Sequence, residues 1–285
     1  MSRSRTLTRV ACFAVVVCLA LTAVVSAQRF GQRDPQRGRR VGEQWGRFFG
    51  PRMVLATPTD FDGSFHFCRL AYQSGAWTTD WPSADYNFSI RLSELTKTWV
   101  GKDETGEPQP LIVRPTDDTL FQCPFTMLWQ AERLRFSDAD AAQMREYLLK
   151  GGFLWSDDSW GTYAWENFAA EMAKVLPPPK YRFVDIPPNH AMLHTLYDVP
   201  KVPQIPSINF WWGSGGRTSE QGYDSAEVHF RGIFDNGGRL MVLSSHNTDI
   251  ADGWEREGED PRYFYRFSVD SYAVAIDSLL YVMSH

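Results

Sequence analysis

Acids, hydroxyls and a histidine recur at three places where an apolar run turns polar. Gln130 and Glu132 close the run that begins at Phe125. Asp157, Asp158 and Ser159 follow Phe153-Leu154-Trp155, and Ser244, Ser245, His246, Asn247 and Asp249 follow Leu240-Met241-Val242-Leu243. If these runs are strands of an open α/β sheet, their ends are where such sheets bind ligands. Three loops of this kind, brought together, make a carboxylate–imidazole pocket suited to a divalent metal or to polarising a sugar hydroxyl. Asp157-Asp158 is the sharpest feature. Adjacent strand residues face opposite sides, so the pair acts together only at a turn, as metal ligand or general base. The competing role is capping, with Asp158 or Ser159 accepting from the free N–H groups of the next helix.

Ser159 is a weak nucleophile candidate. Ser159-Trp160-Gly161 keeps only the downstream glycine of a Gly-x-Ser-x-Gly elbow, because Asp157 stands in place of the first. His246 would be its base and Asp249 or Asp252 the orienting acid, but no spacing rule supports that triad. His190 and His194 are four apart, yet Ala191 replaces the glutamate that a zinc-binding helix carries beside its first histidine. A turn capped by Asn189, with His194 partly buried, is the favoured account of them. Trp77, Trp81, Trp160, Trp211, Trp212 and Trp254 fall in loops or at element starts, where they stack on sugars or staple loops to a core. No catalytic residue is assigned. Asp157, Asp158, Ser159, His246, Asn247, Asp249 and Trp77 stand as ligand-binding candidates, with metal and cofactor undetermined.

The positioning elements are legible from periodicity. Phe65–Tyr72 is an aromatic-rich strand followed by a loop holding Gly75, Trp77, Trp81 and Pro82. Phe88, Leu92, Leu95 and Trp99 fall on one helical face, which Gly101 ends. Short strands follow at 110–114 and 125–130. Ser137 with Asp140 resembles a capping box ahead of a stripe of Ala141, Met144, Tyr147 and Leu148. Gly151-Gly152 stops that helix before the strand Phe153-Leu154-Trp155. Trp165, Phe168, Met172, Val175 and Leu176 give a third helix, ended by three prolines, and 181–186 a further strand. A long, aromatic, irregular excursion occupies 187–216. Strands at 227–234 and 239–244 flank Asp235-Asn236-Gly237-Gly238, a hairpin turn. A helix carrying Tyr272, Ala273, Ile276, Leu279, Leu280 and Met283 on one face closes the chain. Strands alternating with helices predict a doubly wound, mostly parallel α/β sheet with an added β-hairpin and a long irregular loop.

The 285 residues carry 29 Lys+Arg against 34 Asp+Glu, and 43% are hydrophobic. That composition excludes a disordered polymer, a collagen-like repeat and a multi-span membrane protein, and its mild acidity argues against nucleic-acid binding. The start is different. Arg3, Arg5 and Arg9 precede the apolar run Val10–Val25, and Val25-Ser26-Ala27 ends it with small residues, the pattern of a secretory signal peptide over 1–27. The run is short for a spanning helix, so an uncleaved anchor is the lesser alternative. Residues 28–60 form a basic leader in which Arg29, Arg33, Arg37, Arg39 and Arg40 suit contact with an anionic membrane surface or serve as a solvated spacer. The protein is therefore expected to be exported, periplasmic or secreted. Only Cys68 and Cys123 remain after the signal, and both a disulfide and two buried thiols stay open. Asn87-Phe88-Ser89 matches a glycosylation sequon on a helix face.

Several segments together resemble one bacterial family: the strand Phe65–Tyr72 with its loop, the run Ser137–Asp158, the segment 187–197, and Gly238-Arg239-Leu240-Met241-Val242. The family is called domain of unknown function 4159, and the resemblance spans about 63–283. It implies a fold similar to class I glutamine amidotransferases, a flavodoxin-like arrangement, over 61–285, without an established activity. Relatives of that fold suggest carbohydrate biology only by analogy. The amidotransferase pattern Gly-x-Cys-x-Gly is missing: Cys68 lies within a strand and Cys123 precedes Pro124, so glutamine hydrolysis is not expected. The expectation is an exported, non-amidotransferase domain binding a small molecule, a glycan or an envelope protein. A hydrolase acting on carbohydrate or another extracellular polymer through an acidic or metal-assisted site is the alternative. A structural subunit of an envelope assembly, using 205–215 as its interface, is a third.

Overall fold

Five parallel strands set the frame, and each is placed by its apolar run. In this computed structural model, which describes residues 55–285, the strands are β1 (Cys68–Leu70), β2 (Leu111–Val113), β3 (Phe125–Trp129), β4 (Phe153–Ser159), β5 (Val184–Asp185), β6 (His229–Phe234) and β7 (Leu240–His246). Their order across the sheet is β2-β1-β3-β4-β7-β6-β5. β2, β1, β3, β4 and β7 run parallel, whereas β6 pairs antiparallel with β7, and β5 antiparallel with β6. The fold is thus a mixed, mostly parallel seven-stranded α/β sheet of flavodoxin-like order. Its direction of winding reverses between β1 and β3, where the carboxyl ends leave a crevice. The predicted signal segment 1–27 and the arginines Arg29, Arg33, Arg37, Arg39 and Arg40 lie outside the described residues. Among the described residues no helix is long and apolar enough to cross a membrane.

The sheet is covered on both faces. On one side α1 (Ser83–Thr96) and α6 (Val269–Ser284) bury Phe88, Leu92, Ile276 and Leu279 against Phe67, Phe125, Trp155 and Leu243. On the other, α2 (Asp138–Leu149) and α3 (Gly161–Val175) bury Met144, Leu148, Phe168 and Met172 against Leu70, Leu128, Leu154 and Val242. Both faces being covered explains why the parallel strands read as continuous apolar runs. Two shorter helices, α4 (Ile208–Gly213) and α5 (Asp252–Glu255), lie in the loops at the carboxyl end.

Local chemistry sets most boundaries. The Ser137 hydroxyl accepts from Asp140 N–H at 3.2 Å and the Asp140 carboxylate from Ser137 N–H at 2.9 Å, so the capping box starts α2 as its residue types predict. Gly151, at φ +114°, turns the chain from α2 into β4. α1 ends sooner than its apolar spacing suggests. Lys97 adopts φ +63° and its N–H closes on the Ser93 carbonyl, leaving Leu95 48% and Trp99 81% exposed. The strand expected over 181–186 shrinks to Val184–Asp185, and β4 runs four residues beyond Trp155. Asp157 and Asp158 therefore lie inside a strand rather than at a turn. The excursion 187–216 is ordered by its aromatic residues: Trp211 packs on Tyr263 and Phe267. His190, not Asn189, caps the turn there, its Nδ1 accepting from Met192 N–H at 3.2 Å. His194 spends both ring nitrogens on Asp198 and the Pro188 carbonyl.

Cys68 and Cys123 form a disulfide that ties β1 to the segment preceding β3 across 55 residues. Constraining a loop of that length in the unfolded chain contributes about 2–4 kcal/mol. Urea unfolding with and without a strong reductant should differ by that amount. An unchanged midpoint, with both thiols reactive in the native protein, would show that the bridge does not form.

Candidate functional site

Arg69 organises the crevice from β1. Its Nε donates to Asp85 Oδ1 at 3.1 Å and its Nη2 to Asp85 Oδ2, with both side chains fully buried. Its Nη1 donates to the carbonyls of Trp77, at 2.7 Å, and Thr79. The guanidinium lies 3.6 Å from the centre of the Trp129 ring and 5.4 Å from that of Trp81. One cation thereby fastens α1, the end of β3 and the loop 77–82 together. It holds Asp80, at φ +60°, over the carboxyl end of the sheet.

The next strand ends are similarly strained. Gln130 follows β3 at φ +51°, Asp158 kinks β4 at φ +48° and Asn247 follows β7 at φ +62°. With Asp80, these are four of the five non-glycine residues at positive φ among those described, and the fifth is Lys97. Such backbone costs of order 1–3 kcal/mol each and persists where the surroundings enforce it. β4 and β7 shift register between Ser156 and Ser159, which re-aims Asp158. Its Oδ1 accepts from Trp160 Nε1–H at 3.0 Å.

Asp157 is buried on the face of Trp155. It accepts from the Ser245 hydroxyl and, at 2.8 Å, from Ala251 N–H, while Trp155 Nε1–H donates to Ser245 Oγ at 2.9 Å. Burial pushes its carboxyl up to about 7, although the hydrogen bonds oppose the shift. Asp157 thus anchors the start of α5. It does not cap the helix that follows its own strand. α3 is capped from a distance: Gly161 N–H donates to Asn247 Oδ1 at 2.8 Å, and Thr162 N–H to Asp224 Oδ2 at 2.8 Å. Gly161 sits at φ +78°, and a Cβ there would lie 2.2 Å from Gln221 Oε1. Asn247 also donates from Nδ2 to the Glu227 carbonyl at 2.7 Å.

α5 brings the remaining acids. Asp249 Oδ1 accepts from Asp252 N–H at 3.0 Å, and Asn87 Nδ2 donates to the Trp254 carbonyl at 2.7 Å. The sequon asparagine is thus bound into the fold. One carboxylate oxygen from each of Asp80, Asp252 and Glu255 lies within 4.8 Å of the other two. Burial, and then the neighbouring acids, hold Asp80, Asp249 and Asp252 well above the usual carboxylate range. Asp158 and Glu255 are raised by burial in the same way. The arrangement has the donor types of a hard-cation site.

The described backbone and this crevice belong to a chain whose residues 66–283 match the profile of domain of unknown function (DUF4159). The protein belongs to that family. No curated protein matches the sequence.

Within this DUF4159 domain the structure brings Asp157, Asp158 and Asp249 to one crevice, and Trp77 to its rim through its carbonyl on Arg69. It does not join the imagined triad. His246 packs on the opposite side of β7 from Ser245, stacked on His229 at 5.6 Å and near Trp165 at 5.8 Å. Its Nε2 pairs with the Gly161 carbonyl at 2.9 Å and not with Ser159, and burial lowers its pKa to about 4. Asn247 acts as a cap. Asp80, Glu255 and Arg69 are what sequence reasoning missed, and Asp252 entered it only as a candidate orienting acid for His246. The signal was faint: an aspartate beside Trp81-Pro82, and acids spaced through 249–255 like any helix start.

Asp157→Asn retains an acceptor for Ala251 N–H and removes the titrating group. A folded pKa of about 7 against an ordinary 3.8 means the wild type is favoured below pH 4 and loses that advantage as pH rises towards 7. His246 works in the opposite sense but is common to both proteins. The variant's stability relative to wild type should therefore climb between pH 4 and 7 and level off above, as urea melts would show. A difference independent of pH would refute the buried, raised carboxyl. Asn247→Ala orphans the Gly161 N–H and the Glu227 carbonyl, at about 1–3 kcal/mol each. A loss within a few tenths of a kcal/mol would mean that Asn247 does not hold α3.

Proposed function

We propose that this protein is an exported, non-amidotransferase α/β domain that binds a positively charged ligand in the acidic crevice at the carboxyl ends of β1, β3, β4 and β7. One observation carries the proposal. Asp80, Asp157, Asp158, Asp249, Asp252 and Glu255 crowd one crevice, each with its pKa raised. The nearby cations are committed elsewhere: Arg69 to Asp85, and Arg256 to Glu259 at 2.8 Å. Buried like charges are costly unless paired, so a ligand cation is the natural neutraliser. Strained backbone at four positions around the crevice is consistent with a binding role.

The disulfide supports an oxidising compartment and leaves no free thiol among the described residues, which fits the absence of an amidotransferase cysteine. The basic start, apolar run and small residues ending at Ala27 support export. A hydrolase acting on an extracellular polymer is the second reading. Asp157, with its pKa near 7, is matched to proton transfer at neutral pH, but its two oxygens are spent on Ser245 and Ala251. The more accessible Asp80 and Glu255 would have to do the chemistry.

The test is the melting temperature of the chelator-treated protein against divalent metals, polyamines and sugars. A ligand at a hundred times its Kd stabilises by about 2.7 kcal/mol, which is roughly 5–10 °C for a domain of this size. A saturable rise with a cation, reduced in Asp158→Asn, is the expected result. No rise with any cation, or a rise with neutral sugars alone, would overturn the proposal.

A further inference from the structure

Asp80, Asp252 and Glu255 stand out within the acidic crevice because their support is rigid and their chemistry uniform. Each offers one carboxylate oxygen, and the three oxygens lie within 4.8 Å of one another. Asp80 is fixed by the carbonyl of the preceding Thr79, which Arg69 grips together with that of Trp77. The α5 backbone is fixed at both ends. Asp157 takes Ala251 N–H and Asp249 takes Asp252 N–H, while Asn87 donates to the carbonyls of Trp254 and Glu255. Asp252 is 5% exposed, and Asp80 and Glu255 are part-exposed, so the cluster is enclosed but not sealed from solvent.

A second observation is independent of the count of acids. Asp80 Oδ2 is sealed from solvent and has no hydrogen-bond partner. A buried carboxylate oxygen left unpaired costs several kcal/mol, and such an orphan marks a place where a partner belongs. The adjoining Trp81 also keeps its Nε1–H buried without an acceptor. The carboxyl groups of Asp252 and Glu255 face each other.

We propose that Asp80, Asp252 and Glu255 bind one hard divalent cation, calcium in preference to magnesium. This deepens the cation-binding function proposed above and rests on it. Three oxygen donors, with neither sulfur nor imidazole in the set, select against zinc and copper. Calcium takes six to eight oxygens at about 2.3–2.6 Å in flexible geometry, whereas magnesium demands a near-ideal octahedron and keeps much of its water. Three carboxylates on two separately fixed elements, their oxygens within 4.8 Å of one another, suit the more tolerant ion. Water completes the coordination from the open side, where a ligand hydroxyl or carboxylate would enter. Asp157, Asp249 and Asn87 are positioning residues: they hold α5 and do not touch the ion.

The experiment is isothermal titration of the chelator-treated protein with CaCl2, MgCl2 and ZnCl2 at pH 7.5, on wild type, Asp252→Asn and Glu255→Gln, with a melt of each. One calcium per chain is expected, with magnesium at least 10-fold weaker and each variant at least 10-fold weaker for calcium. In the absence of metal both variants should melt at or above the wild-type temperature, because each removes a like charge from the cluster. Loss of binding together with retained stability cannot come from unfolding. Calcium binding that survives both substitutions would overturn the assignment, and so would tighter binding of zinc than of calcium. Absence of any heat or melting shift at millimolar metal would also overturn it. In that case a polyamine that still raises the melting temperature would leave the crevice proposal standing, and its failure would remove both.

Discussion

The buried pair of Arg69 and Asp85 is the interaction on which the carboxyl end of this sheet depends. A guanidinium enclosed between β1, α1 and the ring of Trp129 has to place every donor, because an unpaired charge there costs several kcal/mol. It meets that demand with a two-point bond to Asp85 and with the carbonyls of Trp77 and Thr79. Loop 77–82 is thereby as well determined as a strand, and the position of Asp80 follows from it. Removing one partner of such a pair typically costs 3–5 kcal/mol. Here it would also release the loop that forms one wall of the crevice.

The opposite wall depends on hydrogen bonds to backbone rather than on charge. Asp157 and Asp249 hold the first residues of α5, Asn87 holds its last carbonyls, and Tyr263 reaches the Pro206 carbonyl at 2.7 Å. α5 has only four residues and no helix of that length is stable alone. Its geometry is imposed from outside by partners up to 168 residues away in sequence. The same economy appears at α3, whose first N–H groups are satisfied by Asn247 and Asp224 instead of by a residue of its own N-terminus. The acids of this domain divide accordingly into those that hold backbone, Asp157, Asp224 and Asp249, and those left facing one another, Asp80, Asp252 and Glu255.

That division has an electrostatic consequence. Carboxylates satisfied by N–H groups tolerate burial, whereas those facing other carboxylates gain only by binding a proton or a cation. Arg69 sits at the same end of the sheet but is spent on Asp85, so this chain supplies the charge imbalance without its remedy. The imbalance is a property of the fold and its charges and needs no assigned activity to be seen.

Periodicity and turn chemistry determined the α/β class, the order of elements, both faces of the core and the capping box of α2. Those depend on neighbours within a few residues, which the sequence displays directly. It also placed Asp157, Asp158 and Asp249 at strand ends, where the structure gathers them with Asp80, Asp252 and Glu255. Tertiary structure decided the rest. Whether Asp157 binds a ligand or a backbone N–H depends on Ala251, 94 residues away. Whether Cys68 is a thiol or half of a disulfide depends on Cys123. His246 directs its Nε2 to the Gly161 carbonyl, 85 residues away, and not to Ser159, so the structure does not join the pair that the candidate triad required. Asp80 carries no local signal, since an aspartate in a Pro-containing loop is unremarkable until Arg69 folds that loop over α5. Partnerships across long sequence separations are set by the packing of the sheet and its helices, and no short-range pattern encodes them.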